Sequence, residues 1–191
     1  MKQLSLIIII ISFSVISHAN EKFEFNFSIN QQTETDTLRN PDNFYYLSDL
    51  PIKQVGELIL NDSIYPSDNF VTFALLDTIS RCKENDLEFF LKVSEKIIND
   101  ADGALAETVG SYTRKFIEKR PTEFINHIDK LSEEQIRKWA DFTFYDMYFA
   151  YSEDELKTNC KKLVDSLKKI STTKSVAYFE KELNTRIKNG I

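Results

Sequence analysis

The sequence predicts an all-α domain of antiparallel helical hairpins, and three observations predict it. Large apolar residues recur three and four positions apart through most of the chain after residue 44, which lines up one face of a 3.6-residue helix. Ser132-Glu133-Glu134-Gln135 and Ser152-Glu153-Asp154-Glu155 each set a hydroxyl three residues ahead of Gln or Glu, the pattern by which two side chains satisfy the free N–H groups of a helix start. Gly and Pro number only four each in 191 residues, which suits long helices better than the turns of a β-sandwich or Gly-rich phosphate loops.

The first segment is a predicted export signal. Met1-Lys2-Gln3 carries one positive charge, Leu4 to Ile16 is apolar apart from three serines, and Ser17-His18-Ala19 is a small-x-small cleavage pattern. The apolar run is 13 residues, short of the roughly 20 that cross a bilayer. Residues 1–19 are therefore expected to be removed near Ala19, leaving a periplasmic or secreted chain with no integral membrane segment. Phe23, Phe25, Phe27 and Ile29 alternate with polar residues, a strand-like pattern without an obvious partner strand. Residues 22–29 are thus expected either to self-associate or add as a strand to a partner, or to pack along the protein's own helices or in a short hairpin with Phe44 to Leu47. Asn30 to Asn43, with Leu38 as its one large apolar residue, reads as a polar linker, so residues 20–43 form an arm and linker and 44–191 the helical domain.

The helices follow in close order. Pro51 suits a first turn, and Val55, Leu58 and Ile59 give a short apolar face ending at Asn61-Asp62-Ser63. Ser67 is placed to cap a helix through Phe70, Phe73, Ala74 and Leu76 toward Cys82; its apolar residues cover most of its circumference, so it is predicted to be central. Leu87, Phe90, Leu91, Ser94, Ile97 and Ile98 mark the next helix, and Asp102 is placed to cap one bearing Leu105, Val109, Tyr112 and Phe116. Pro121 starts a shorter helix with Phe124, Ile125 and Ile128 on one side. The first capping box opens a long helix to about Tyr151. The second opens one with Leu156, Cys160, Leu163, Val164, Leu167 and Ile170, and a last helix carries Val176, Phe179, Leu183 and Ile187. Glu88-Phe89-Phe90 with Val93 echoes Glu123-Phe124-Ile125 with Ile128 at an offset of 35 residues, so a short HEAT-like helical repeat stack is a fold-level analogy.

Charge and residue usage bound the function. The net charge of -6 disfavours nucleic acid, which requires a surface rich in Lys and Arg. Asn20 to Tyr151 holds 14 Lys/Arg against 24 Asp/Glu, and Ser152 to Ile191 nine against six, so the last helices carry either a basic face or lysines balancing neighbouring acids. His127 is the one histidine beyond the signal segment and no calcium-loop pattern occurs, so no metal or cofactor is expected. No nearby nucleophile marks His127 as a general base, and no catalytic residue is assigned. Cys82 and Cys160 are an even pair in an exported chain, either bridged or two buried thiols.

The most informative stretch is Trp139 to Tyr151, with seven aromatics in 13 residues. At 100° per residue Trp139, Phe142 and Phe149 share one side with Ala150, while Phe144, Tyr145, Tyr148 and Tyr151 spread over the other beside Asp141. Either neighbours cover both sides, or the tyrosine face lines a groove for peptide or sugar. Asp146, on the Trp139 side, is expected to bond a partner helix through Lys or Arg. Phe144, Tyr145, Tyr148, Tyr151 and Asp141 are the candidate partner-binding residues. The expected function is that of an exported non-enzymatic binder of another protein or peptide, of the inhibitor, immunity-factor or envelope-adaptor type. The alternative is a carboxylate-dependent envelope glycan hydrolase or lyase.

Overall fold

The structure, a computed structural model, describes residues 47–189. The predicted signal peptide, the strand-like arm with its association behaviour, and the polar linker lie outside the described residues. Eight helices follow one another among the described residues, with no strand: α1 (Ile52–Leu60), α2 (Phe70–Thr78), α3 (Glu84–Asp100), α4 (Gly103–Lys119), α5 (Pro121–Ile128), α6 (Glu133–Ala150), α7 (Glu153–Lys168) and α8 (Lys174–Asn189). The domain is all-α. None of the described helices is long and apolar enough to cross a membrane.

Local chemistry sets most helix starts. Ser132 Oγ accepts from the Gln135 N–H at 3.3 Å while Gln135 Oε1 accepts from the Ser132 N–H at 3.0 Å, the reciprocal cap expected of that motif. At α7 the Ser152 N–H and hydroxyl both donate to Glu155 Oε2, at 3.1 and 2.6 Å. These bonds hold the Glu155 carboxyl below its ordinary value, because they favour the charged form. Pro121 occupies the first turn of α5. Pro51 stands just ahead of α1, where its carbonyl accepts from Gln54 N–H at 2.8 Å.

Two predicted caps are corrected. Asn69, not Ser67, caps α2: its Oδ1 accepts from the Val71 and Thr72 N–H groups, both at 3.0 Å, while Ser67 Oγ accepts from Asn69 Nδ2 at 2.6 Å and holds the capping amide in place. Asp102 has the extended backbone of a cap ahead of α4, but its carboxylate makes no capping bond.

The central helix is α6, not α2. Only nine residues long, α2 leaves Phe70 about half exposed, so its apolar circumference is not matched by neighbours on every side. By contrast α6 makes extensive pairings with α4 and α8 and further contacts with α7 and α3. Phe116 of α4, Phe124 of α5, Trp139 of α6 and Phe179 of α8 form one fully buried aromatic cluster, with ring centroids 5.2 to 6.2 Å apart. Edge-on and tilted rings at such distances add about 0.5 to 1.5 kcal/mol per pair beyond the area they bury.

The α4–α6 contact is unusually close. A Cβ at Gly110 would lie 2.3 Å from the Phe142 carbonyl oxygen and 2.9 Å from Asp146 Cβ, so only glycine fits. Beside it the buried Thr143 hydroxyl donates to Thr113 Oγ1 at 3.1 Å, and Thr113 donates to the Gly110 carbonyl at 2.8 Å. The sequence of contacts, Gly110 to Asp146, Thr113 to Thr143 and Phe116 to Trp139, shows the two helices running antiparallel. Asp146 meets the expected cation: Arg114 Nε donates to its Oδ2 at 2.6 Å.

Of the two readings of the cysteines, the bridge does not form. Cys160 is a buried free thiol 3.8 Å from Met147 Sδ, and half-buried Cys82 lies 3.8 Å from Arg120 Nη1. Burial pushes the Cys160 thiol up to about 11. Several cations of the last helices balance neighbouring acids, Lys157 with Glu153, Lys161 with Asp165, Lys168 with Glu180 and Arg186 with Asp141 of α6. The echo at 35 residues falls on helices of 17 and eight residues, α3 and α5.

Candidate functional site

The C-terminal half of α6 builds the site. Its aromatic side chains outnumber the positions neighbouring helices cover, so the stripe that is buried at Trp139 and Ala140 opens toward the helix end. Tyr148 is 42% exposed and Phe149 68%; their rings pack on each other, Phe149 also on Tyr145 and Tyr148 on the buried Phe144. The Tyr145 and Phe149 rings meet edge to face at 4.8 Å, and those of Tyr148 and Phe149 at 5.5 Å. Mutual packing fixes their rotamers while leaving ring faces open to solvent.

Two hollows flank this cluster. The first, about 310 Å³, lies among α4, α6 and α8 and is lined by Gly103, Ala106, Glu107, Asp141, Phe142, Phe144, Tyr145 and Arg186. Gly103 sits there at φ +45°, a left-handed conformation that favours glycine. The second, about 450 Å³, lies among the end of α6, the start of α7 and the end of α8, against Phe144, Tyr148, Tyr151, Glu153, Leu156, Lys157 and Ile187. All five candidate residues line one hollow or the other: Asp141, Phe144 and Tyr145 the first, Phe144, Tyr148 and Tyr151 the second.

Their environments differ from the expectation in two places. Phe144 is only 3% exposed and forms the floor common to both hollows, because its ring turns in under α6 against the core. Phe149, grouped by its angle with the Trp139 side, is instead the most open ring of the helix. One residue from the helix end, it has passed the reach of the neighbours that cover Trp139.

The charges at the site are mostly paired. Asp141 accepts two bonds from Arg186, Nε to Oδ1 and Nη2 to Oδ2, each 2.6 Å. Those bonds and the Asp141 charge hold the Arg186 guanidinium above its ordinary value, against partial burial. Glu153 bonds Lys157 at 2.7 Å. Arg114 donates to Tyr151 Oη at 3.2 Å as well as to Asp146; burial works against its charge, and the Asp146 carboxylate outweighs it. Glu107 is exposed and pairs with no cation among the described residues. Glu107 and Arg186 were missed in the sequence, where single charged residues on amphipathic helices carry no distinguishing spacing.

A second polar centre is structural in character. Glu95 of α3 is largely buried; its Oε1 accepts from Trp139 Nε1 and lies 2.8 Å from His127 Nε2, and its Oε2 accepts from Gln135 at 3.4 Å. His127 thus has a carboxylate partner and packs edge-on to Trp139 at 5.6 Å, with no nucleophile among these contacts. No group of three or more His, Cys, Asp or Glu side chains is arranged to hold a metal ion among the described residues.

No family model, no curated protein and no solved structure matches the chain.

Proposed function

We propose that this chain is an exported, non-enzymatic binding protein for another protein or peptide, of the inhibitor, immunity-factor or envelope-adaptor type. It works in the periplasm or outside the cell after removal of the leader near Ala19. The observation that carries the reading is the cluster in which exposed Tyr148 and Phe149 pack on each other, and Phe149 on half-buried Tyr145, beside two hollows. Aromatics held in place at low entropic cost are the residues that dominate protein interfaces, where tyrosine offers both apolar area and a polar tip. Most acids at the site are paired, which favours binding over carboxylate catalysis: Asp141, Asp146 and Glu153 give their oxygens to Arg186, Arg114 and Lys157, and of the carboxylates lining the two hollows only Glu107 is unpaired among the described residues. A glycan-cleaving pair needs one free carboxylate and one that can hold a proton.

Affinity capture from an envelope extract tests the reading. The native chain is expected to retain a protein partner that the Tyr145→Ala, Tyr148→Ala double variant loses while keeping its helical circular dichroism. Undiminished capture by the folded double variant would remove this face from the proposal. Turnover of glycan fragments abolished by a single Asp or Glu substitution would replace the proposal with the enzymatic alternative.

A further inference from the structure

The two hollows differ in charge, and the difference selects an occupant. The first has aromatic walls, Phe142 and Tyr145, and an acidic rim. Glu107 on that rim is exposed and unpaired among the described residues, and Asp102, next to the lining residue Gly103, is exposed and makes no capping bond. Its one cation, Arg186, is fully engaged by Asp141, so Glu107 and Asp102 leave the rim net negative. A carboxylate beside open aromatic faces attracts an ammonium or guanidinium group twice, by charge and by the ring quadrupole. The second hollow presents Tyr148, Tyr151, Leu156 and Ile187, while its two charged residues, Glu153 and Lys157, neutralise each other. That hollow offers no net charge to hold a basic group.

Resting on the peptide-binding reading above, we infer that the partner is a basic segment of another protein. It sets a Lys or Arg side chain in the first hollow, between Glu107 and the Phe142 and Tyr145 rings.

The test uses the full chain. Random peptides are selected on the immobilised protein, and the selected sequences are synthesised and titrated against the native chain, Glu107→Gln, Glu107→Lys and the Tyr145→Ala, Tyr148→Ala double variant. Selected peptides are expected to carry Lys or Arg. Their affinity should fall about fivefold with Glu107→Gln and further with Glu107→Lys, and should weaken as salt rises. Replacing the peptide's basic residue by Glu should restore binding to Glu107→Lys.

Peptides that lack basic residues, or that bind Glu107→Lys as tightly as the native chain, overturn the inference. The peptide-binding reading survives in that case if the double tyrosine variant still loses them. If no peptide binds, or binding ignores the tyrosine changes, both fall. Displacement of the peptide by an equal concentration of free polyamine makes the hollow a small-cation site and overturns the choice of partner. So does a concentration-dependent mass that Glu107→Lys abolishes, which assigns the hollow to a second copy.

Discussion

The aromatic residues in the two halves of α6, one in the first and five in the second, meet opposite surroundings. In the first, Trp139 is enclosed by Phe116 of α4, Phe124 and His127 of α5 and the Glu95 carboxylate of α3. In the second, Phe149 packs on Tyr145 and Tyr148, and Tyr148 and Phe149 stay exposed. What separates them is the number of helices that converge on each ring. An aromatic ring becomes core or surface according to what its neighbours can reach, so composition alone does not assign it.

That contrast can be broken most forcefully at Trp139. Trp139→Ala is expected to destabilise the domain by about 4 kcal/mol, since it empties the junction of four helices. Urea unfolding followed by circular dichroism measures it, and a loss below about 1 kcal/mol would show that the junction is not the centre of the core.

Gly110→Ala comes next. The added methyl meets the Phe142 backbone carbonyl, which cannot rotate away, and a loss of about 3 kcal/mol is expected from forcing α4 and α6 apart. Unfolding midpoints report the loss. The same variant should also weaken partner binding, because Phe142 is a wall of the first hollow. A stable variant with native affinity would contradict the close approach of the two helices.

Glu95→Ala leaves the Trp139 and His127 N–H donors buried without their acceptor, at an expected cost of about 2 kcal/mol. Glu95→Gln, which keeps a carbonyl oxygen, should recover part of it. Because Trp139 is the sole tryptophan, its fluorescence can follow both unfolding transitions. Equal stability of the Ala and Gln variants would mean that the carboxylate position contributes nothing as an acceptor.

Phe149→Ala is expected to be the mildest change, within about 0.5 kcal/mol of the native chain, as for an exposed position away from caps and core. Set beside Trp139→Ala, it measures the difference between the two halves directly. A loss approaching that of a buried phenylalanine would place its ring in the core rather than on a binding face.

What could be read in the sequence was what is local. The Ser132 and Ser152 caps need only residues three apart, and the face of α7 from Leu156 to Leu167 needs only its period. The choice of Asn69 over Ser67 was not legible. Both residue types cap helices, and the outcome depends on which side chain lies within reach of Val71 and Thr72. Nor was the centrality of α6, which depends on Gly110 and the Thr113 and Thr143 pair. The two threonines stand 30 residues apart and no pattern in the chain links them.

The candidate site was half legible. Clustered aromatics mark α6 in the sequence, and the helical period sets its tyrosines beside Asp141, where the two hollows lie. Phe144 and Phe149 exchanged roles because an angle on a helical wheel describes direction and not how far a neighbouring helix extends. Glu95, whose partners stand 32 and 44 residues away, left no trace in the sequence.

The glycine contact between α4 and α6 has a mechanical side. With backbone against side chain and no methyl between, α4 can neither press closer nor ratchet along α6 without breaking the threonine pair. Ala106 and Glu107, within a turn of Gly110, stand opposite Phe142 on the same clamped pair, and so the mouth they frame has a set bore. Such an opening works as a gauge. A side chain of the right girth enters without remodelling anything, and one methylene too wide meets walls that do not give.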